Sequence, residues 1–207
     1  KFRTMKKILL FLAILCSVSL SNAQVFFSEN FEGAIGADGL PASGTWMEFG
    51  NSNDGIYMVG TDIDANSAGS WPVPAHTNFM QTNDDACDCD KSQDMIVLPA
   101  QDFSSFTGTV QMTVDIFWDD RYGGQVNLIA STDGGSNWSL VSNVSPLLSF
   151  WQDNTVFDLT AFNGQSNVLL AFLYDDQGQW GNGFAFDNVV LEHLIIADFT
   201  VDVNSGC

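Results

Sequence analysis

The chain has 207 residues, with 25 acidic side chains against six basic ones and a formal net charge of -19 at neutral pH. A surface this negative repels phosphate backbones and anionic lipid, which excludes nucleic acid and an acidic membrane as partners. With 45% hydrophobic and 13% aromatic residues, the chain can bury a real core, which excludes a disordered acidic tail.

In chain order, Met5, Lys6 and Lys7 form a short basic start, Ile8 to Leu20 an apolar stretch, and Ser21-Asn22-Ala23 a small-residue cleavage site. Together they predict a secretory signal peptide over residues 1–23, with residues 1–4 upstream of its start Met and Gln24 as the first mature residue. The apolar stretch is shorter than the roughly 20 residues that a membrane-spanning helix needs. Bulky Leu15 before Cys16 argues against a lipid-anchor cysteine. Past residue 23 only Lys91 and Arg121 are basic, so the secreted chain is more acidic still.

Short apolar or alternating runs then follow, separated by Gly, Asn, Asp and Ser clusters: 25–31, 95–98, 110–118, 125–131, 154–159, 167–174 and 184–191. None carries a long 3.6-residue period, so the fold class predicted is all-β, a two-sheet antiparallel jelly-roll sandwich. Residues 36–79, punctuated by Pro41, Pro72 and Pro74, predict a loop-rich face on which binding specificity is expected. Thr132-Asp133-Gly134-Gly135 predicts a hairpin turn capped by Asp133, with Trp138 packed over it. Ser131 to Trp138 also fits the Asp-box of sialidases. That class carries several copies and an arginine cluster, whereas this chain has one copy and Arg121. After Leu191, the alternation in Ala197 to Val203 predicts the start of a second β domain, with 195–207 as linker and opening strand.

The densest chemistry lies in Asn83 to Asp94, where five carboxylates and two cysteines fall just before an apolar strand. Like charges this close need solvation or a cation. Asp94 shares strand parity with Ile96 and Leu98, and Asp187 with Val189 and Leu191, which puts each acid at the end of an apolar face. Two basic side chains cannot pair all these acids, so Ca2+ is the expected partner. The ligands predicted from parity are Asp94 and Asp187, with Asp85, Asp88 and Asp90 as a weaker second set. No EF-hand loop is present, because Lys91 and Ser92 occupy its end. Secretion favours oxidation of Cys87 and Cys89, either to each other or to a cysteine elsewhere.

Catalytic signatures are absent from the sequence. His76 and His193 lie outside any His-Glu-x-x-His motif and read as ordinary loop or edge residues, and there is no Gly-x-Ser-x-Gly elbow. Aromatic residues in the loops, Trp71 and Trp180 foremost, are candidates for a ligand platform.

The ordered set Phe27 to Gly33, Asp94 to Pro99, Ser131 to Gly135, Phe157 to Phe162 and Phe186 to Leu191 resembles the MAM-like jelly-roll domains of secreted Bacteroidota proteins. This group includes the cleaved-adhesin and choice-of-anchor J domains. The similarity spans residues 24–194, and the segment from Ala197 resembles the first strand of a PKD-like module. Glu32 closes the first strand at this family's Phe-Glu-Gly position, which implies it as the third calcium ligand beside Asp94 and Asp187, with Glu29, of opposite parity, as an alternate. The resemblance implies a secreted or cell-surface, non-catalytic adhesion or ligand-binding module with structural calcium, whose partner is an extracellular glycan or protein. The alternative it implies is an accessory domain of a secreted peptidase or glycosidase whose catalytic domain lies elsewhere in the same protein.

Overall fold

The computed structural model describes residues 21–50, 57–87, 89, 91–147 and 149–196. The predicted signal segment up to residue 20 and the predicted second domain from Ala197 lie outside them. The described strands are β1 (Ser21–Glu29), β2 (Met47–Phe49), β3 (Met58–Gly60), β4 (Phe79–Asn83), β5 (Asp94–Val97), β6 (Val110–Trp118), β7 (Gln125–Ser131), β8 (Ser139–Asn143), β9 (Gln152–Asp158), β10 (Leu169–Asp175) and β11 (Gly183–Ile196). Two short helices, α1 (Asp62–Ala65) and α2 (Asp84–Cys87), sit between them.

All pairings are antiparallel. One sheet runs β3-β4-β11-β6-β9, with β1 also paired to β11, and the other runs β2-β5-β10-β7-β8. Strands distant in sequence are neighbours in both sheets, which is the two-sheet jelly-roll sandwich predicted. β11 organises the larger sheet: its first half pairs with β4 and its second half with β1, while β6 runs along its other edge.

The main core lies between the sheets. Alternate residues of β6 (Val110, Met112, Val114, Ile116, Trp118) meet Leu170, Phe172 and Tyr174 of β10 and Phe184, Phe186, Val189 and Leu191 of β11. Phe186 packs against Phe172 at 4.7 Å and against Phe31 at 5.6 Å between ring centroids. Each such ring contributes on the order of 2–3 kcal/mol by burial.

One expectation about parity is overturned. Asp187 does not share a face with Val189 and Leu191, because β11 carries a bulge between Asp187 and Val190 in its pairing with β6. Asn188 takes φ 51° there, a left-handed conformation that Asn tolerates. The extra residue returns Val189 and Leu191 to the core and leaves Asp187 with Ala185 on the outer face. Asp94 does keep the predicted parity and points inward with Ile96 and Leu98.

The loop-rich stretch also differs from expectation. It contains β2 and β3, and Thr61 caps α1 in a capping box with Asp64. The following residues bury Ala65, Trp71 and Val73 against Phe79, Phe117 and Ala185 on the outer face of the six-stranded sheet. This segment closes a second, smaller core and is not simply an open recognition surface.

Candidate functional site

Both basic side chains beyond residue 20 are engaged by buried carboxylates. Lys91, 1% exposed, places Nζ 3.4 Å from Oδ2 of Asp94, which is 0% exposed. The Arg121 Nε donates to Asp119 Oδ1 and Oδ2 at 2.9 and 2.7 Å, and its backbone N–H adds a bond to Oδ1. The expectation that Asp94 shares one ion with Glu32 and Asp187 is therefore corrected. Asp94 lies between the sheets, bonded by Thr82 Oγ1 at 3.1 Å and paired with Lys91, whereas Asp187 lies on the far side of β11.

Glu32 and Asp187, by contrast, converge on one short segment. Glu32 accepts from the backbone N–H and side-chain amide of Asn78 at 2.7 and 3.0 Å. Asp187 Oδ2 accepts from Thr77 Oγ1 at 2.8 Å and faces His76 Nδ1 at 2.9 Å, while Oδ1 accepts from Asn188 N–H at 2.6 Å. Burial pushes the Asp187 carboxyl up; the bonds from Thr77 and Asn188 and the nearby His76 oppose this, and Asp115 adds to it. The alternate Glu29 instead caps the turn at Phe31, accepting from Asn30 N–H, Phe31 N–H and Ser43 Oγ.

Across the paired strands, Asp187 stands opposite Asp115 of β6. Asp115 accepts from Asn154 N–H at 2.7 Å and Asn188 Nδ2 at 2.8 Å. His76 Nε2 lies 3.9 Å from Asp115 Oδ2, and the ring packs at a tilt against Trp151, 4.3 Å between centroids. His76, Asp115 and Asp153 each offer one ligand atom, all within 4.8 Å of one another, a set that could hold a metal ion. None of these three was singled out as a ligand from the sequence. The one local signal was Asp115, an acid placed directly before Ile116, Phe117 and Trp118 in β6.

A second feature lies at the edge where the acidic run meets the β10–β11 connection. A cavity of about 700 Å³ is lined by Asp84, Asp85, Cys89, Asp176, Gln179 and Trp180, with Gly178 and Gly181. Trp180 is 82% exposed. Tyr174 OH donates to Asp84 Oδ2 at 3.2 Å, and Asp176 Oδ1 accepts from Ser92 Oγ and Gly178 N–H. Cys89 is disulfide-bonded. Asp88 and Asp90 lie outside the described residues, as does the side chain of Cys87.

Asp84 is pushed up to about 7, first by burial and then by the charge of Asp176; the Tyr174 bond and Lys91 pull the other way. Its folded value thus lies above its unfolded one, so the folded chain binds the extra proton. This group favours folding in acid, and the advantage fades as pH rises between about 4 and 7. Melting curves across that range should show the wild type losing more stability with rising pH than Asp84→Asn does. Parallel pH profiles for the two proteins would refute this role for Asp84.

Of the aromatic candidates, Trp71 is corrected: it is 0% exposed and packs on Phe117, so no ligand can stack on it. Trp180 remains available. The predicted hairpin turn is present between β7 and β8, with Asp133 accepting from Asn137 N–H, Asn137 Nδ2 and Ser131 Oγ. Those bonds, Asn137's foremost, hold its carboxyl down at about 2. The eight-residue Asp-box match is thereby explained as turn chemistry.

No protein-family model matches the chain, and no curated protein matches it. Solved structures do share its fold. The K2 cleaved adhesin domain of Lys-gingipain is 16% identical with a TM-score of 0.54, over 80% of this chain and 98% of that one. The K1 cleaved adhesin domain of Lys-gingipain from Porphyromonas gingivalis W83 is 15% identical with a TM-score of 0.53, over 82% and 97%. The CBM22-1 xylan-binding domain from Paenibacillus barcinonensis Xyn10C is 11% identical with a TM-score of 0.50, over 85% and 97%. At these identities the likeness establishes the β-sandwich.

Proposed function

We propose that the chain is a secreted or cell-surface, non-catalytic binding module that takes an extracellular glycan at the cavity beneath Trp180. The observation that carries this reading is an indole exposed to 82% at the mouth of a cavity lined by carboxylates and a glutamine. An aromatic face suits the apolar face of a sugar ring, and the acidic rim accepts hydrogen bonds from its hydroxyls. The rim's charge disfavours anionic ligands. Two of its carboxylates are held, Asp84 by Tyr174 and Asp176 by Ser92 and the Gly178 N–H, which suits binding better than acid–base turnover. Neighbours named as adhesin and xylan-binding domains support the same class, and an extracellular protein is the second kind of partner they suggest. An accessory role beside a peptidase or glycosidase would use the same surface.

Calcium is the structural cation in this reading. Glu32, which bonds Asn78, and Asp187, which bonds Thr77, supply oxygen donors of the kind a hard cation takes, with Asp85, Asp88 and Asp90 as a weaker second set. Asp94 is withdrawn from the ligand set, since Lys91 neutralises it.

Glycan arrays and calorimetry with neutral polysaccharides such as xylan, run with and without calcium, test the proposal. Trp180→Ala should weaken binding about tenfold, roughly 1.4 kcal/mol, at an unchanged melting temperature because the side chain is exposed. Silence across the array, or an undiminished Trp180→Ala, would move the site to a protein ligand.

A further inference from the structure

Asp115 and Asp187 form a cross-strand pair, at 8% and 0% exposure. Like charges directly opposite repel, and burial strengthens the repulsion. Lys91 and Arg121 are engaged at Asp94 and Asp119, and His193 lies elsewhere, stacked on Phe106. Among the described residues, the counter-charge at this corner is left to His76 or to an ion.

The position of His76 favours an ion. Its Nδ1 faces the buried Asp187 carboxylate at 2.9 Å, so in the neutral ring the proton sits on Nδ1 and the lone pair on Nε2. That lone pair is turned toward Asp115 Oδ2 at 3.9 Å. The gap is too long for a hydrogen bond, and a tetrahedral ion at bond lengths of about 2.0–2.2 Å would draw the two atoms together by roughly half an ångström. Trp151, whose Nε1 donates to Pro74 O at 3.1 Å, fixes the ring plane. Asn154 and Asn188 fix Asp115, and exposed Asp153 can turn inward to complete the set. A buried carboxylate that orients a ligating imidazole is the usual outer support of a metal site.

We propose that His76, Asp115 and Asp153 bind one divalent ion of the zinc class, with Asp187 as a positioning residue that holds the His76 tautomer. The imidazole nitrogen sets this position apart from calcium, which takes oxygen ligands. The inference builds on the reading of this corner as a cation site but does not require calcium at Glu32.

The test titrates metal-stripped protein with Co2+, followed by visible absorption, and with Zn2+, followed by calorimetry. One ion per chain is expected, with cobalt bands that zinc abolishes. His76→Ala and Asp153→Asn should each weaken zinc at least about tenfold, and Asp187→Asn about 10- to 100-fold with shifted cobalt bands at the same stoichiometry. Asp153 is exposed, so that variant should fold normally, and its melting curve without metal checks this. Glu32→Gln should leave zinc binding intact. Absence of cobalt bands and of zinc heats overturns the proposal, as does wild-type affinity in both His76→Ala and Asp153→Asn. Binding lost in Glu32→Gln but kept in His76→Ala also overturns it and identifies a calcium-type site instead. Calcium stabilisation that depends on Glu32 and not on His76 reports the calcium reading separately.

Discussion

Lys91→Ala should destabilise the domain by about 3–5 kcal/mol, the usual cost of removing one partner from a buried ion pair. Lys91 Nζ lies 3.4 Å from a carboxylate with no solvent exposure. Asp84 and Asp176, both buried, stand close enough to each other to push Asp84 up. Without the ammonium, these carboxylates face one another in low dielectric, where repulsion is strongest. Lys91→Met separates charge from volume. It keeps most of the stem, so a loss as large as that of alanine identifies the charge as the cause. The deficit should shrink in acidic buffer, where the carboxylates are neutralised. Urea unfolding reads the effect as a lower midpoint at constant slope. A Lys91→Met domain within about 1 kcal/mol of wild type would show that the pair contributes no net stability.

The same lysine shows where sequence reasoning stopped. Within the acidic run, Lys91 looked like the residue that spoils a calcium loop, and five neighbouring carboxylates pointed to a cation from outside. The structure turns Lys91 inward against Asp94, so part of the run neutralises itself. Strand periodicity was legible where a strand has one buried face and a clean alternation: residues 110–118 and 125–131 are β6 and β7 at the limits predicted. It failed for the three-residue β2 and β3, which make too short a pattern, for β8, which has no buried residue, and for β4, whose buried Gln81 and Thr82 read as polar.

The corner around His76 was half legible. Glu32 and Asp187 were singled out from motif order and parity, and both bond the 77–78 segment. The parity argument for Asp187 was wrong in detail, because period-two reasoning fails at a bulge, and Asn188 is the residue that permits it. Asp115 carried little signal of its own, since it falls at the polar parity of Gln111 and Thr113 in β6. Its partner could not be seen, since strand order and register place residues from positions 76, 115, 153 and 187 together. Nothing local marks His76; it is recruited by the path of the loop above the sheet.

Trp71 controls that path, and Trp71→Ala should cost about 3–5 kcal/mol, as expected for deleting a large buried aromatic side chain. The ring has no exposure and fills the space between Phe117, Phe79, Ala185, Ala65 and Val73. Residues 61–78 contribute few other large apolar groups, so this indole is the main anchor of the segment on the sheet. Asn78, which clasps Glu32, and His76 and Thr77, which meet Asp187, follow it closely. The variant should therefore lose stability, become sensitive to proteolysis within 61–78, and bind metal more weakly. Trp71→Phe should lose far less, because the indole Nε1 makes no hydrogen bond among the described residues and only part of the ring volume is removed. Urea curves, limited proteolysis and the zinc titration read the three effects independently. If Trp71→Ala unfolds with the wild-type midpoint while the segment is cut freely, the loop is energetically separate from the sandwich, and its anchor does not contribute to global stability.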